Sequence, residues 1–405
     1  MNRWNTLTLA PHRLHFLVGM ASLLVASAGW AVHLLARYTG TPLAALDLEV
    51  APIWAHSFLM LFTVLPAFVF GFLFTTFPRW MNGPAVPRAS YVATATLLAL
   101  ATLTWLAGTH AGLELRLLAA GLAAAGLIAG LVVLLRVLID AEQVVSHALV
   151  ACTGLAVGVV AVAGFGYGLW DGNDFALHFA VRAALWGFLL PVFFAVCHRM
   201  IPFFSQNAIP GYVAWRPLWM LVAVATLAYA RLLLGTAGAL RSLVFADAAL
   251  LLLTATCAIR WTSLRARGNP LLWTLYAGFA WLPVAMALQT ARDAGFVLTG
   301  EWPLGRAPLH ALGIGYFGGM LVAMVTRVTL GHSGRALRMD RATLACFLGV
   351  QVAALARVSS EVVTAPEATR DLLLGSMLAW LLAFGVWTAR HGGLYLAPRS
   401  DGKPG

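Results

Sequence analysis

Long apolar runs, interrupted by short polar stretches, set the pattern of this chain. Breaking the runs at charges, prolines and glycines gives twelve segments: 13–37, 51–77, 90–107, 112–139, 146–170, 175–201, 213–234, 240–262, 271–296, 308–330, 341–365 and 369–391. Such runs match the roughly 20 residues that a helix needs to cross a hydrocarbon core of about 30 Å. The pattern predicts an all-α polytopic integral membrane protein, one transmembrane domain over residues 1–405. The connections are too short for a soluble domain, and the even number of spans puts both ends on one side.

Composition sharpens this reading. Of the 405 residues, 61% are hydrophobic and 10% charged, against about a quarter charged in an ordinary soluble domain. The net charge of +11 comes from basic residues scattered between apolar runs, with no basic stripe or reading motif, so nucleic acid is not an expected partner. The expected partner is the lipid bilayer. Most of the 26 basic residues fall at the termini and in the even-to-odd connections, which under the positive-inside rule makes both termini cytoplasmic. Arg3 and Arg13 precede an apolar stretch containing Ala26-Ser27-Ala28, which resembles a cleavage site; the run continues to Leu35, so the first helix is expected to stay. Cys152, Cys197, Cys257 and Cys346 all lie inside apolar runs and no CxxC or CxxCH occurs, which argues against a disulfide scaffold and covalently attached haem. Walker A, HExxH and usable GxGxxG patterns are absent too.

The eleven histidines carry the candidate chemistry. His56, His178 and His310 open the second, sixth and tenth segments, all of which run from outside to inside. Their spacings of 122 and 132 residues recur every four helices. This suggests three four-helix units, 13–139, 146–262 and 271–391, around a pseudo-threefold axis on which the three imidazoles would converge. Converging neutral imidazoles suit copper or zinc, and one imidazole with a second axial group suits haem iron. Met60, Met320 and Met324 are soft-ligand candidates; His33 and His110 are weaker ones. His198 and His332 stand 20 and 22 residues beyond His178 and His310, about 30 Å along a helix. With His15 they form a separate inner group. Arg79, Arg199, Arg327 and Arg335 lie near it, and their guanidinium forks suit carboxylates such as haem propionates. Other roles stay open: histidines at helix ends also bind interfacial water, and arginines at cytoplasmic ends also act as topology anchors. Asp247, inside the eighth segment, calls for a partner in hydrocarbon, with Arg231 and Arg241 as candidates.

Several stretches are more specific than composition. PHRLHF (11–16), HSFLMLF (56–62) with GFLFTTFPRW (71–80), HRMIPFFSQNAIP (198–210), and HALGIGYFGGM (310–320) with TRVTLGHSGR (326–335) together resemble the NnrS family over most of the chain. The resemblance implies a bacterial inner-membrane protein of twelve helices holding haem b and copper, associated with nitric oxide metabolism and relief of nitrosative stress. By position His56, His310, His332 and Arg199 match motif residues of the family. His198 stands where many relatives have a small residue, and Ala55 and Ser57 flank His56 where many members carry His-x-His-Glu.

Two classes of function follow. One is a haem and copper protein, a candidate membrane oxidoreductase that binds or reduces nitric oxide at a histidine-ligated metal, with an electron donor such as quinol or a cytochrome. Haem-copper oxidases and nitric oxide reductases are the nearest known architecture, but their adjacent His-His pair is missing here. The other is a twelve-helix secondary transporter, for which Pro66, Pro191 and Pro283 would supply helix breaks. A metal-insertion or sensing partner of another complex is a third reading.

Overall fold

The computed structural model describes residues 2–40 and 50–402, and the side chain of His110 lies outside the described residues. Twelve helices are long and apolar enough to cross a membrane. They are α1 (Pro11–Thr39), α2 (Pro52–Met81), α3 (Arg88–Thr109), α4 (Leu113–Ile139), α5 (Ser146–Asp171), α6 (Asp174–Ala208), α7 (Leu218–Thr236), α8 (Leu240–Trp261), α9 (Pro270–Thr299), α10 (Ala307–His332), α11 (Arg341–Ser359) and α12 (Pro366–Leu396). Among the described residues there is no strand. In hydrocarbon each backbone N–H and C=O must be satisfied within its own segment, so apolar runs of this length fold as helices.

Local signals set the ends. Pro11, Pro52, Pro270 and Pro366 open their helices, where a missing N–H costs nothing. The Asn173 side chain accepts the Ala176 N–H at 3.0 Å and Asp340 accepts the Thr343 N–H at 2.7 Å, capping α6 and α11. Gly172 and Gly300 stop α5 and α9 at positive φ, 64° and 77°, a region that favours glycine. Two helices run on through a proline that ends their apolar segments. α2 continues past Pro78 to Met81, and α6 runs through Pro202 to Ala208 rather than ending near residue 201. An interior proline deletes one intrahelical bond rather than the helix, and hydroxyls one turn on, such as Ser205 Oγ donating to the Ile201 carbonyl at 2.8 Å, hold the backbone there.

The second, sixth and tenth helices are unlike the rest. Each widens into π turns, at Leu59–Val64 in α2, Ala183–Leu189 in α6, and Ala311–Gly318 and Leu321–Val325 in α10. Their apolar windows are 94%, 72% and 78% buried, against 56% or less in every other span. The four-helix recurrence seen in the histidines is therefore also a recurrence in burial and backbone geometry. Single-turn π segments inside α-helices are frequent at functional sites.

The chain divides into two compact units. The first reaches Val192 and takes in Gly392–Pro398. Its core is aromatic: Phe58 stacks on Trp105 at 4.0 Å, and Phe165 lies against Phe58 at 5.5 Å and Phe62 at 5.6 Å. Small residues admit these rings. A side chain at Gly71 would run into Phe16, and one at Gly130 into Phe70, so the close approach of the helices depends on glycine. Arg13 donates to the Tyr395 and Ala397 carbonyls at 3.1 and 2.8 Å, which fixes the end of the chain to the start of α1.

The second unit comprises Phe193–His391 and the described residues from Arg399 on. Trp261, Phe279 and Phe194 form its centre, with Trp261 to Phe279 at 4.6 Å. α9 and α10 meet where a Cβ on Gly278 would lie 3.3 Å from the Gly319 carbonyl carbon. Buried polar side chains are hydrogen-bonded across helices, as with Trp387 Nε1 to Thr326 Oγ1 at 2.9 Å and Ser376 Oγ to the Ala353 carbonyl at 2.8 Å.

Candidate functional site

In the first unit the early turns of α2 and α6 present imidazoles to tryptophans. His56, half-buried, stacks on Trp30 of α1 at 4.5 Å with the planes 28° apart. His33, one turn after Trp30 on the same helix, lies 5.3 Å from that indole. His178 is exposed and meets Trp54 of α2 edge-on at 4.9 Å. Amphipathic rings of this kind suit the boundary between lipid and water, where one edge is dry and the other wet. His310, the third of this set, lies in the second unit at the start of α10, half-buried, with Nδ1 3.0 Å from the Arg306 carbonyl. Among the described residues, no group of three or more His, Cys, Asp or Glu side chains is placed to hold a metal ion.

His15 is the most enclosed imidazole of the first unit. It has no exposed surface and sits against Phe74 at 5.4 Å and Phe70 at 6.2 Å. Its Nε2 lies 3.0 Å from the Tyr91 carbonyl; a carbonyl can only accept, so Nε2 carries the hydrogen and Nδ1 presents a lone pair. That Nδ1 is buried without a hydrogen-bond partner. Arg79, grouped with His15 by sequence, is exposed in the last turn of α2, where a cation is stabilised by the helix dipole.

The second unit holds the rest of the inner group. His198 is fully buried in α6, its Nε2 3.2 Å from the Pro217 carbonyl and its ring 5.9 Å from Trp261. Arg199 follows it, half-buried. Arg327 is buried in α10 with its guanidinium over the Phe204 ring at 4.1 Å. Its Nε has no hydrogen-bond partner, and no carboxylate among the described residues pairs with it. A buried guanidinium left in that state is costly, which marks a place suited to an anionic group. His332 and Arg335 lie at and just beyond the end of α10, both half-buried. The His332 carbonyl accepts from Arg399 Nη1 at 3.1 Å, and Arg399 pairs with Asp401 at 2.6 Å. The met candidates divide: Met320 and Met324 are buried and Met60 is half-buried.

Asp247 is fully buried and pairs with Arg231, Nε to Oδ1 at 2.5 Å; Arg241 is exposed. Sequence reasoning missed the third member. Asp293, which falls inside the ninth apolar segment, lies within α9, 1% exposed, with Oδ2 3.5 Å from Arg231 Nη2. Its Oδ1 accepts from Gln289 Nε2 at 2.9 Å and Arg292 Nη1 at 3.2 Å. The four-residue spacing of Gln289 and Asp293 on one helix face was the available signal. Also unforeseen is the contact of the Tyr316 hydroxyl with Cys197 Sγ at 3.5 Å in the core of this unit.

A family model described as NnrS protein matches residues 6–399. The chain belongs to the NnrS family. The match runs through all twelve helices, so both units fall within the family, as do the motif stretches around His56, His198, His310 and His332. A comparison with curated proteins finds no match. What stands, then, is a multi-pass membrane protein of the NnrS family.

Proposed function

We propose that this chain acts in nitric oxide metabolism or nitrosative stress relief in the bacterial inner membrane, with both termini cytoplasmic, and that it carries haem and copper. Membership of the NnrS family over residues 6–399 carries the reading. The haem half has support in the second unit. Arg327 offers a buried guanidinium without a carboxylate, suited to a propionate, and Tyr276, joined to Ser205 at 2.7 Å, lines the same end of that unit. His198, beside Arg199, and His332 are imidazoles of the same unit. In the first unit the buried lone pair on His15 Nδ1 would suit a metal ion.

The copper half has less support. His56 stacks on an indole and His178 is exposed, an arrangement that does not fit a three-imidazole copper centre. Bound haem iron would supply a site that takes nitric oxide and exchanges one electron with a donor such as quinol or a cytochrome. The chain's own contribution is to pair the anionic edge through Arg327, to exclude water through the aromatic layer of Phe194, Trp261 and Phe279, and to hold His198 in one orientation through the Pro217 carbonyl.

An absorption spectrum of the detergent-purified protein, with iron and copper analysis, tests this. A Soret band with haem in proportion to protein is expected. A colourless, metal-free preparation that is folded and monodisperse would favour a secondary transporter instead.

A further inference from the structure

In the second unit, the helix ends that meet at the connections 209–217 and 262–269 carry a charge imbalance with no part in the cofactor reading. Arg216 lies in the first connection, Arg260 one residue before the end of α8, and Arg265 and Arg267 in the second connection. All four are exposed. This part of the sequence is free of acids: there is none between Asp174 and Asp247, and none between Asp247 and Asp293. Among the described residues no carboxylate pairs with any of the four arginines. The connection from α10 to α11 in the same unit is different. There Asp340 pairs with Arg390, and Asp401 pairs with Arg399 beside Ser333 and Gly334, so the basic groups are neutralised by acids of the chain itself.

The arginines stand on a fixed frame. Tyr212 donates to the Trp261 carbonyl at 3.1 Å, Trp261 Nε1 to the Trp215 carbonyl at 2.9 Å, and Arg265 Nη1 to the Pro210 carbonyl at 2.8 Å. These bonds tie the first connection to the end of α8 and to the second connection. The Arg260 guanidinium lies 5.6 Å from the centre of the Trp215 ring, and Arg216 follows Trp215 in the chain, so both cations border one indole. The surface beside them is apolar, with Leu218, Trp219 and Ile259 54%, 59% and 76% exposed. Tryptophan with exposed aliphatic side chains at the end of a spanning helix marks the level of lipid headgroups. A guanidinium at that level meets a phosphate with two parallel N–H donors, while the apolar side chains meet acyl chains.

We propose that this end of α7 and α8 is a binding site for an anionic phospholipid, its phosphodiester held by Arg216 and Arg260 and its acyl chains lying along Leu218, Trp219 and Ile259. Charge complementarity selects the class. Four cations without a carboxylate favour a headgroup of net negative charge, whereas a zwitterionic headgroup brings an ammonium that they repel.

Native mass spectrometry of the full-length protein in detergent tests the site, by titration with phosphatidylglycerol or with phosphatidylethanolamine of the same acyl chains. The wild type should hold one phosphatidylglycerol more tightly than any phosphatidylethanolamine. Arg216→Gln and Arg260→Gln should each weaken that binding about fivefold, and the double variant roughly thirtyfold, with phosphatidylethanolamine unaffected. Both side chains are exposed, so neither change opens the core. Arg136→Gln, at an exposed helix end of the first unit, should leave the affinity as it is. Equal binding of the two lipids by the wild type overturns the proposal and needs no variant. Undiminished binding in the double variant, or the same loss in Arg136→Gln, overturns it as well. Displacement of the lipid by inorganic phosphate at matched concentration would mean a site for free oxyanions rather than for lipid.

Discussion

The two units place the groups singled out above in different ways. In the first, the candidate imidazoles other than His15 sit at helix ends against indoles, half-buried or exposed, with the charge cost relieved by access to the interface. In the second, Arg231, Asp247 and Asp293 lie inside the helices and stabilise one another because water cannot. Location decides which physics governs: interfacial rings can be exchanged at small cost, whereas a buried charge is tied to its partner. Replacing Arg231 with Met is therefore the most damaging change expected. It strands the buried Asp247 and takes one of two cations from Asp293, at a cost of about 3–5 kcal/mol, measurable as loss of thermal stability; a variant as stable as the wild type would mean that the network is not buried in the folded protein.

The first unit depends instead on shape. Gly71→Leu drives a side chain into Phe16 and should cost about 1–3 kcal/mol, read from the same melting curves. Arg327→Leu tests the anion reading with two readouts that move apart. Removing an unpaired buried guanidinium should leave the apoprotein as stable or more so, while haem content falls. Equal loss of both would make Arg327 merely structural.

The smallest effect is expected at the start of α11. Asp340 is partly buried, which alone would raise its pKa, but hydrogen bonds from Thr343 and Arg390 outweigh this and hold it below the usual carboxylate range. A depressed native pKa adds stability that is present above the unfolded value and lost as pH falls through the folded one. Asp340→Ala should cost about 1 kcal/mol at neutral pH, and less in acid, where the wild type loses the same clasp.

The helices were legible in the sequence because hydrocarbon allows little else for apolar runs of that length; all twelve appear near their expected places. The burial of α2, α6 and α10 was foreshadowed by His56, His178 and His310 recurring every fourth helix. The helix ends were less legible: Pro78 and Pro202 read as breaks, yet one lost hydrogen bond did not end either helix. Asp247 with Arg231 could be anticipated because a lone acid in an apolar run demands a cation. Asp293 was not, because nothing in the ninth apolar segment shows that a neighbouring helix brings a guanidinium to it. The unpaired state of Arg327 is a tertiary property with no trace in its motif.

Anaerobic titration of the reduced, purified full-length protein with nitric oxide tests the functional claim most directly. The expected result is a saturable shift of a haem absorption band, in proportion to the haem bound. A folded preparation whose spectrum does not respond to nitric oxide at any ratio would contradict it.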